Sequence, residues 1–176
     1  RRSWRWAVLA GLFLLIDLGP DILSAASRHN ISLTDVQYCL LTHPHPDHLH
    51  LTHLIARSLD QGAKKSPPLH IFASRATLDH AGKLMELEVP GFSLFDPQMQ
   101  AQMRIHLHPI EALTPFSVGG YQVIAFPADH APGLDAMLFA ISTDDQCIFY
   151  GTDTETLPEY NWEAFEPVSY THLRAH

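Results

Sequence analysis

His43-Pro44-His45-Pro46-Asp47-His48 packs four side chains that can bind a divalent metal into six residues, in the spacing H-x-H-x-D-H. Imidazole and carboxylate are the ligand types that suit zinc and its neighbours, and a four-donor cluster leaves open positions for water and substrate. That is catalytic chemistry more than structural chemistry. Upstream, Val36 to Thr42 is apolar and β-prone, while Leu49 to Leu59 downstream carries apolar residues at helical intervals, so the motif is expected on a strand-to-helix turn. Pro44 and Pro46 disfavour helix for the residues before them. His43 and His45 should therefore stay extended and project on a two-residue period, with Asp47 and His48 opening the helix, where free N–H groups and the dipole favour a carboxylate. The plain alternative is a solvated His/Pro loop in a chain that holds 13 histidines, but chance clustering would not also set an Asp between ligand pairs at a strand end.

The motif resembles the signature of the metallo-β-lactamase superfamily at every position, and the resemblance continues along the chain. Leu15-Ile16-Asp17-Leu18-Gly19-Pro20-Asp21 looks like the family's strand-end Asp in the I-D-x-G-P-D form of its phosphodiesterase branch. Ala128-Asp129-His130 looks like the third motif, and Gly151-Thr152-Asp153-Thr154 like the fourth, followed by Leu157-Pro158-Glu159. The resemblance implies an α/β fold, a four-layer αβ/βα sandwich, with two divalent metal ions, zinc first and manganese or iron as alternatives. On that mapping His43, His45 and His130 hold one metal, Asp47 and His48 hold the other, and Asp153 is shared. Asp17 is expected to hydrogen-bond a ligand imidazole, or to cap the turn at Gly19. For Asp129 a solvated loop position is favoured over a carboxylate behind a ligand, and Asp21 is expected to cap the helix that follows.

The family normally supplies one more His to the second metal, after a further strand and helix, whereas this chain ends 23 residues after Asp153. His172 and His176 are not assigned to that role, because 168–176 resembles a translated adapter sequence. The expected organisation is a partial metallo-hydrolase domain over 1–167 with a non-native tail at 168–176, an N-terminus that looks cut, and a weakly held second metal.

A length of 176 residues points to one domain, and 46% apolar residues suffice for a core. Net charge −8 with 11 Lys plus Arg argues against long nucleic acid as a partner and leaves room for a small anionic substrate; a homodimer is compatible. Cys39 and Cys147 lack C-x-x-C spacing and read as small core residues in a reducing compartment. The run Ala7 to Ile16, although preceded by Arg1, Arg2 and Arg5, is too short to span a bilayer and is interrupted by Gly11. A strand hairpin over 4–9 and 12–17, no membrane association and a cytoplasmic location are expected.

Further helices are expected over Asp21 to His29 and from about Ala76 to Glu88, the latter capped by Ser74. Gln61 to Pro68 reads as a loop and Leu69 to Ala73 as a strand. Val89 to Gln102, with Pro90, Gly91 and Pro97, reads as a loop near the substrate mouth, where Phe92, Leu94 and Phe95 either touch substrate or simply pack. Strands follow at Met103 to His108, Tyr121 to Phe126, Ala136 to Ile141 and Cys147 to Tyr150, with turns at Gly119-Gly120 and Asp144-Asp145. His50 and His53 follow the motif, but His53 lies roughly 500° around a helix from His48, on another face. His106 and His108 share one strand face and compete with His130, which is preferred because it follows an apolar strand between Pro127 and Pro132.

A water on such a metal has its pKa lowered to about 7, and the resemblance implies a bridging hydroxide that Asp47 orients or whose proton it accepts. Phosphodiesters, lactams, lactones and thioesters all fit that chemistry. The I-D-x-G-P-D form and the fourth motif favour a phosphodiesterase acting on a small cyclic phosphate or nucleotide-like substrate. The alternatives are a lactonase or lactamase, ribonuclease Z-like RNA processing, and a metal-binding module without activity. One departure from the family is the absence of its usual Gly shortly after the motif, in Leu49-His50-Leu51-Thr52.

Overall fold

The computed structural model describes residues 14–59, 66–144 and 146–156, together with the backbone of 168–174. Two sheets face each other. The first is parallel throughout, in the order β1 (Leu14–Ile16), β2 (Tyr38–Leu40), β3 (Leu69–Ser74), β4 (Ile105–Ile110). The second holds β5 (Phe116–Val118), β6 (Tyr121–Pro127), β7 (Met137–Ser142) and β8 (Cys147–Thr152) in antiparallel pairs, and β9 (Val168–Arg174) parallel to β8. Between the strands of the first sheet run α1 (Ile22–Arg28), α2 (Thr52–Leu59), α3 (Arg75–Glu88) and α4 (Pro97–Met103).

Period-two alternation assigns each side chain to a layer. Leu15, Cys39, Ile71 and Ile105 face the helices, which bury Ile22, Leu54, Leu78, Met85 and Met103 against them. Leu14, Ile16 and Leu40 face the other way, onto Val123, Ala125, Phe139 and Ile141 of the second sheet. β7 is central in that sheet and is buried along nearly its whole length, as its run Met-Leu-Phe-Ala-Ile requires. Phe126, Leu138, Ala140 and Phe149 cluster on its far face, where the described residues show no covering helix. The fold is therefore the expected α/β sandwich, with three of its four layers visible among the described residues.

Several boundaries differ from expectation for reasons of packing. The helix after the motif begins at Thr52 and not at Leu49, because Leu49 forms a bridge with Leu18, held by Leu18 N donating to His48 O at 2.6 Å and His50 N to Leu18 O at 2.8 Å. Asp47 thus sits on a tight turn, in which His48 N and Leu49 N both donate to His45 O, and not at a helix start. Val89 to Gln102 is not wholly irregular: Asp96 accepts from Gln98 N and Met99 N, and Pro97 opens α4, an N-terminal signature outweighed in the sequence by the neighbouring Pro and Gly. Leu94 is buried and Phe92 packs on the helix-side core, so both serve packing. Asp21 makes no side-chain cap; its carbonyl accepts from Ala25 N and Ser24 Oγ. Ser74 does cap α3, accepting from Thr77 N at 3.0 Å. β4 starts at Ile105 because α4 runs to Met103 and Arg104 turns the chain at φ 54°. The expected 4–9 and 12–17 hairpin, Leu157-Pro158-Glu159 and His176 lie outside the described residues, apart from Leu14–Ile16, which pairs in parallel with β2. Among the described residues no helix is long and apolar enough to cross a membrane.

Candidate metal centre

The parallel strands deliver their C-terminal ends to one edge, so Asp17 after β1 and Thr42-His43 after β2 emerge side by side. The second sheet reaches the same place from the opposite direction, with His130 in the loop after β6 and Asp153 directly after β8. The sheets are joined here by Met137 N, which donates to Thr42 O at 2.9 Å.

Two groups of donor atoms converge. His43, His45 and His130 form one, with His45 Nδ1 at 3.0 Å from His43 Nε2 and 3.2 Å from His130 Nε2. His43, His48 and Asp153 form the other, with Asp153 Oδ2 at 2.6 Å from His48 Nε2 and 3.9 Å from His43 Nε2. His43, 1% exposed, therefore stands between the two groups. Asp47 is placed at the rim: its carboxylate is 3.7 Å from His48 Nε2, is nearly half exposed, and joins neither converging group. His53 turns instead to Gly19 O at 3.1 Å, and neither it nor His50 belongs to a converging group among the described residues.

The surroundings fix which nitrogens face inward. Asp17, 2% exposed, receives Thr42 N at 2.8 Å and the Thr42 hydroxyl at 3.0 Å, and its Oδ2 lies 2.7 Å from His48 Nδ1. The same hydroxyl lies 3.0 Å from His43 Nδ1. With both Nδ1 atoms engaged from behind, the Nε2 lone pairs of His43 and His48 are directed at the cluster, an arrangement typical of metal-binding histidines. Burial, reinforced by the neighbouring imidazoles, pushes the His43 pKa down to about 3, and burial also lowers that of His45, so both are neutral donors at pH 7. Burial works against the His48 cation too, but the hydrogen bond and charge of Asp17 outweigh it and raise the His48 pKa. Burial raises the pKa of Asp17, against the pull of His48 and Thr42. Each group, three imidazoles in one and two imidazoles with a carboxylate in the other, with His43 in common, could hold a divalent metal ion.

Backbone conformation contributes as well. Asp17 and Asp153 both adopt left-handed φ, 65° and 51°. Asp tolerates that region better than most residues, but each position costs on the order of 1 kcal/mol that the surrounding contacts must offset. At Gly19 a Cβ would run into the backbone carbonyl oxygen of Asp47, so glycine is what lets the β1 loop lie against the metal loop. Thr42 belongs to the site although its residue type does not mark it in the sequence; its place at a strand end directly before the first His is the usable signal. Asp129 ties two loops: Asp129 N donates to Thr154 Oγ1 at 3.0 Å, and Thr156 Oγ1 donates to Asp129 Oδ2 at 2.8 Å.

A cavity of about 430 Å³ opens beside His130, with Ser74, Arg75, Glu111 and Asp135 in its lining. Thr77 Oγ1 and Ser74 Oγ both donate to Leu134 O, at 3.0 and 3.2 Å, and hold the third-motif loop over it. A larger apolar cavity of about 610 Å³ lies among Leu15, Ile22, Leu33 and Leu54 on the helix side, away from the converging donors.

A family profile described as "Beta-lactamase superfamily domain" matches residues 13–175. No curated protein matches the chain. Among solved structures, a new diphosphatase from the PhnP family is 17% identical with a TM-score of 0.61, over 93% of this chain and 56% of that one. Zn(2+)-bound PqqB from Methylobacterium extorquens is 14% identical with a TM-score of 0.65, over 94% and 56%. The metallo-beta-lactamase fold protein YhfI from Bacillus subtilis is 16% identical with a TM-score of 0.60, over 82% and 52%. The chain thus spans just over half the length of each.

Proposed function

The chain belongs to the β-lactamase superfamily, whose fold is mainly one of divalent-metal hydrolases, and on that premise we propose that it is a phosphodiesterase acting on a small cyclic phosphate or nucleotide-like substrate. The observation that carries this reading is the pair of donor groups sharing His43, set beside a cavity with Arg75 in its lining. His43, His45 and His130 would hold one metal, and His48 and Asp153 the second, with Asp47 beside it. Bound there, the metals would supply an acidified water and a Lewis acid for the scissile group. Asp47, at the exposed rim next to His48, would take up the proton of that water. Arg75, in the lining, stacks its guanidinium 5.3 Å over the Phe95 ring and donates to Asp79 at 2.8 Å; it would have to turn from these partners to meet a phosphate. Glu111 and Asp135, also in the lining, suit the hydroxyl donors of a sugar-like portion.

The test compares the zinc-loaded protein on bis(p-nitrophenyl) phosphate, a β-lactam and a lactone. We expect turnover of the phosphodiester and a fall of roughly 100-fold or more in His45→Ala. Preference for the lactam or lactone would overturn the substrate assignment, and stoichiometric zinc with no turnover of any substrate would sink the enzyme reading.

A further inference from the structure

A third group of imidazoles lies apart from the metal centre. His70 and His106 are register partners on the parallel strands β3 and β4, and His108 follows His106 on the same strand face. His70 and Phe72 alternate with Leu69, Ile71 and Ala73, which pack toward the helices, so this face is the one turned to the second sheet. His70 and His106 are each the second residue of their strand, near the strand starts, whereas Asp17 and His43 leave the ends of β1 and β2. The cluster is therefore at the opposite end of the sheet from the candidate metal centre.

Its geometry resembles a donor set. His70 Nδ1 lies 2.9 Å from His108 Nε2, close to the 3.0 and 3.2 Å between the nitrogens that converge on His45. The His70 ring is nearly parallel to that of His108, at 22° and 5.1 Å, and 4.9 Å from that of His106. His108 is stacked on Phe72 at 4.5 Å, and Phe72 in turn on Phe116 at 5.6 Å, so the ring is held in place before any ligand arrives. His106 is exposed and His70 and His108 are half-buried, which leaves the nitrogens reachable from solvent. Burial, followed by the neighbouring imidazoles, lowers the pKa of His70 and of His108, favouring the neutral rings a metal needs. Between two neutral imidazoles so placed, one ring donates its N–H to the other; moving that proton to the outer nitrogen of the same ring turns both lone pairs to one point without changing the charge.

We propose that His70 and His108, with His106 as third donor, form a peripheral binding site for a borderline divalent transition metal such as zinc, nickel or copper, and that the metal clamps the terminal strand β4 to β3. Imidazole suits these ions; His106, whose nitrogens do not converge with those of His70 and His108 as placed, would complete the site by a rotamer change. The inference does not depend on what the main centre hydrolyses.

Chelator-stripped protein is titrated with Zn²⁺, bound zinc is counted after desalting, and the His Cε1–H resonances are followed by NMR. His45→Ala, which cripples the main centre, should still bind zinc with shifts in the resonances of His70 and His108. His70→Ala and His108→Ala should each bind one zinc fewer than the parent while keeping phosphodiester or other basal activity within twofold. His106→Ala, an exposed change that leaves packing intact, should weaken the peripheral site by about tenfold. Equal zinc counts and affinities in the parent, His106→Ala and His108→Ala would overturn the proposal, as would unmoved His70 and His108 resonances at saturating zinc. The NMR readout and His106→Ala decide the matter even if His108→Ala does not fold.

Discussion

The two halves of the metal centre are held by different means. In the parallel-sheet half, His43 and His48 are buried and backed by one hydroxyl and one carboxylate, those of Thr42 and Asp17, so that tautomer and ring direction are fixed by hydrogen bonds. In the antiparallel half, His130 and Asp153 are more open to solvent and stand on loops shaped by left-handed backbone, at Ala131 (φ 49°) and Asp153 (φ 51°), and tied together through Asp129, Thr154 and Thr156. One half is organised by buried side chains, the other by backbone and loop-to-loop contacts. Removing a support should therefore cost more on the parallel side.

The largest effect is expected for Thr42→Val, which keeps the volume and removes the hydroxyl shared by Asp17 and His43. Loss of such a supporting partner lowers metal affinity by roughly 10- to 100-fold. Leaving the buried Asp17 short of a donor should also cost about 1–3 kcal/mol of stability. Calorimetric zinc titration and denaturant unfolding read the two separately. A change in affinity below twofold would mean that the Asp17 contact to His48 suffices and that the hydroxyl is incidental.

The same division governs what could be read from the sequence. His43, His45, Asp47 and His48 are legible because they are contiguous and sit at a strand end, a local pattern. His130 and Asp153 are legible only through resemblance to the family's later motifs, since nothing in their own spacing says that two sheets bring them within reach of His43. α2 starts three residues later than the apolar periodicity predicts, because the Leu18 to Leu49 bridge that delays it joins segments far apart in the chain. Asp47 consequently lies on a turn at the rim, where helix periodicity had put it at a helix start. Thr42 is silent in the sequence for a related reason: a Thr at the end of a β-prone run is ordinary until Asp17 is folded against it.

On the antiparallel side, Thr156→Ala removes the hydrogen bond from the Thr156 hydroxyl to Asp129 Oδ2 and nothing buried. One exposed hydrogen bond is worth about 1 kcal/mol, so zinc affinity should fall by roughly fivefold. Measured beside Thr42→Val under the same buffer and temperature, the two values test the asymmetry directly; an equal or larger loss for Thr156→Ala would reverse it.

A pH effect separates two histidines within the parallel half. The raised pKa of His48 means that, in the metal-free protein, its protonated form stabilises the fold, fully below the usual value of 6.5 and progressively less as pH rises through the folded value. His43 has the opposite sign: with its pKa pushed down to about 3 it stays neutral in the fold, and it withdraws stability as pH falls from 6.5 toward 3, where only the unfolded chain takes up the proton. A metal must displace the His48 proton but meets none on His43. Zinc affinity should therefore begin to fall while pH is still above 6.5, approaching about tenfold per pH unit once the proton on His48 wins. Asp17→Asn removes the charge that holds this proton and should move the onset to lower pH. Zinc titrations from pH 8 to 5.5, with Cε1–H shifts to assign each ring, read the onset. An affinity flat across that range, or an onset that Asp17→Asn leaves in place, would show that Asp17 does not set the protonation of His48.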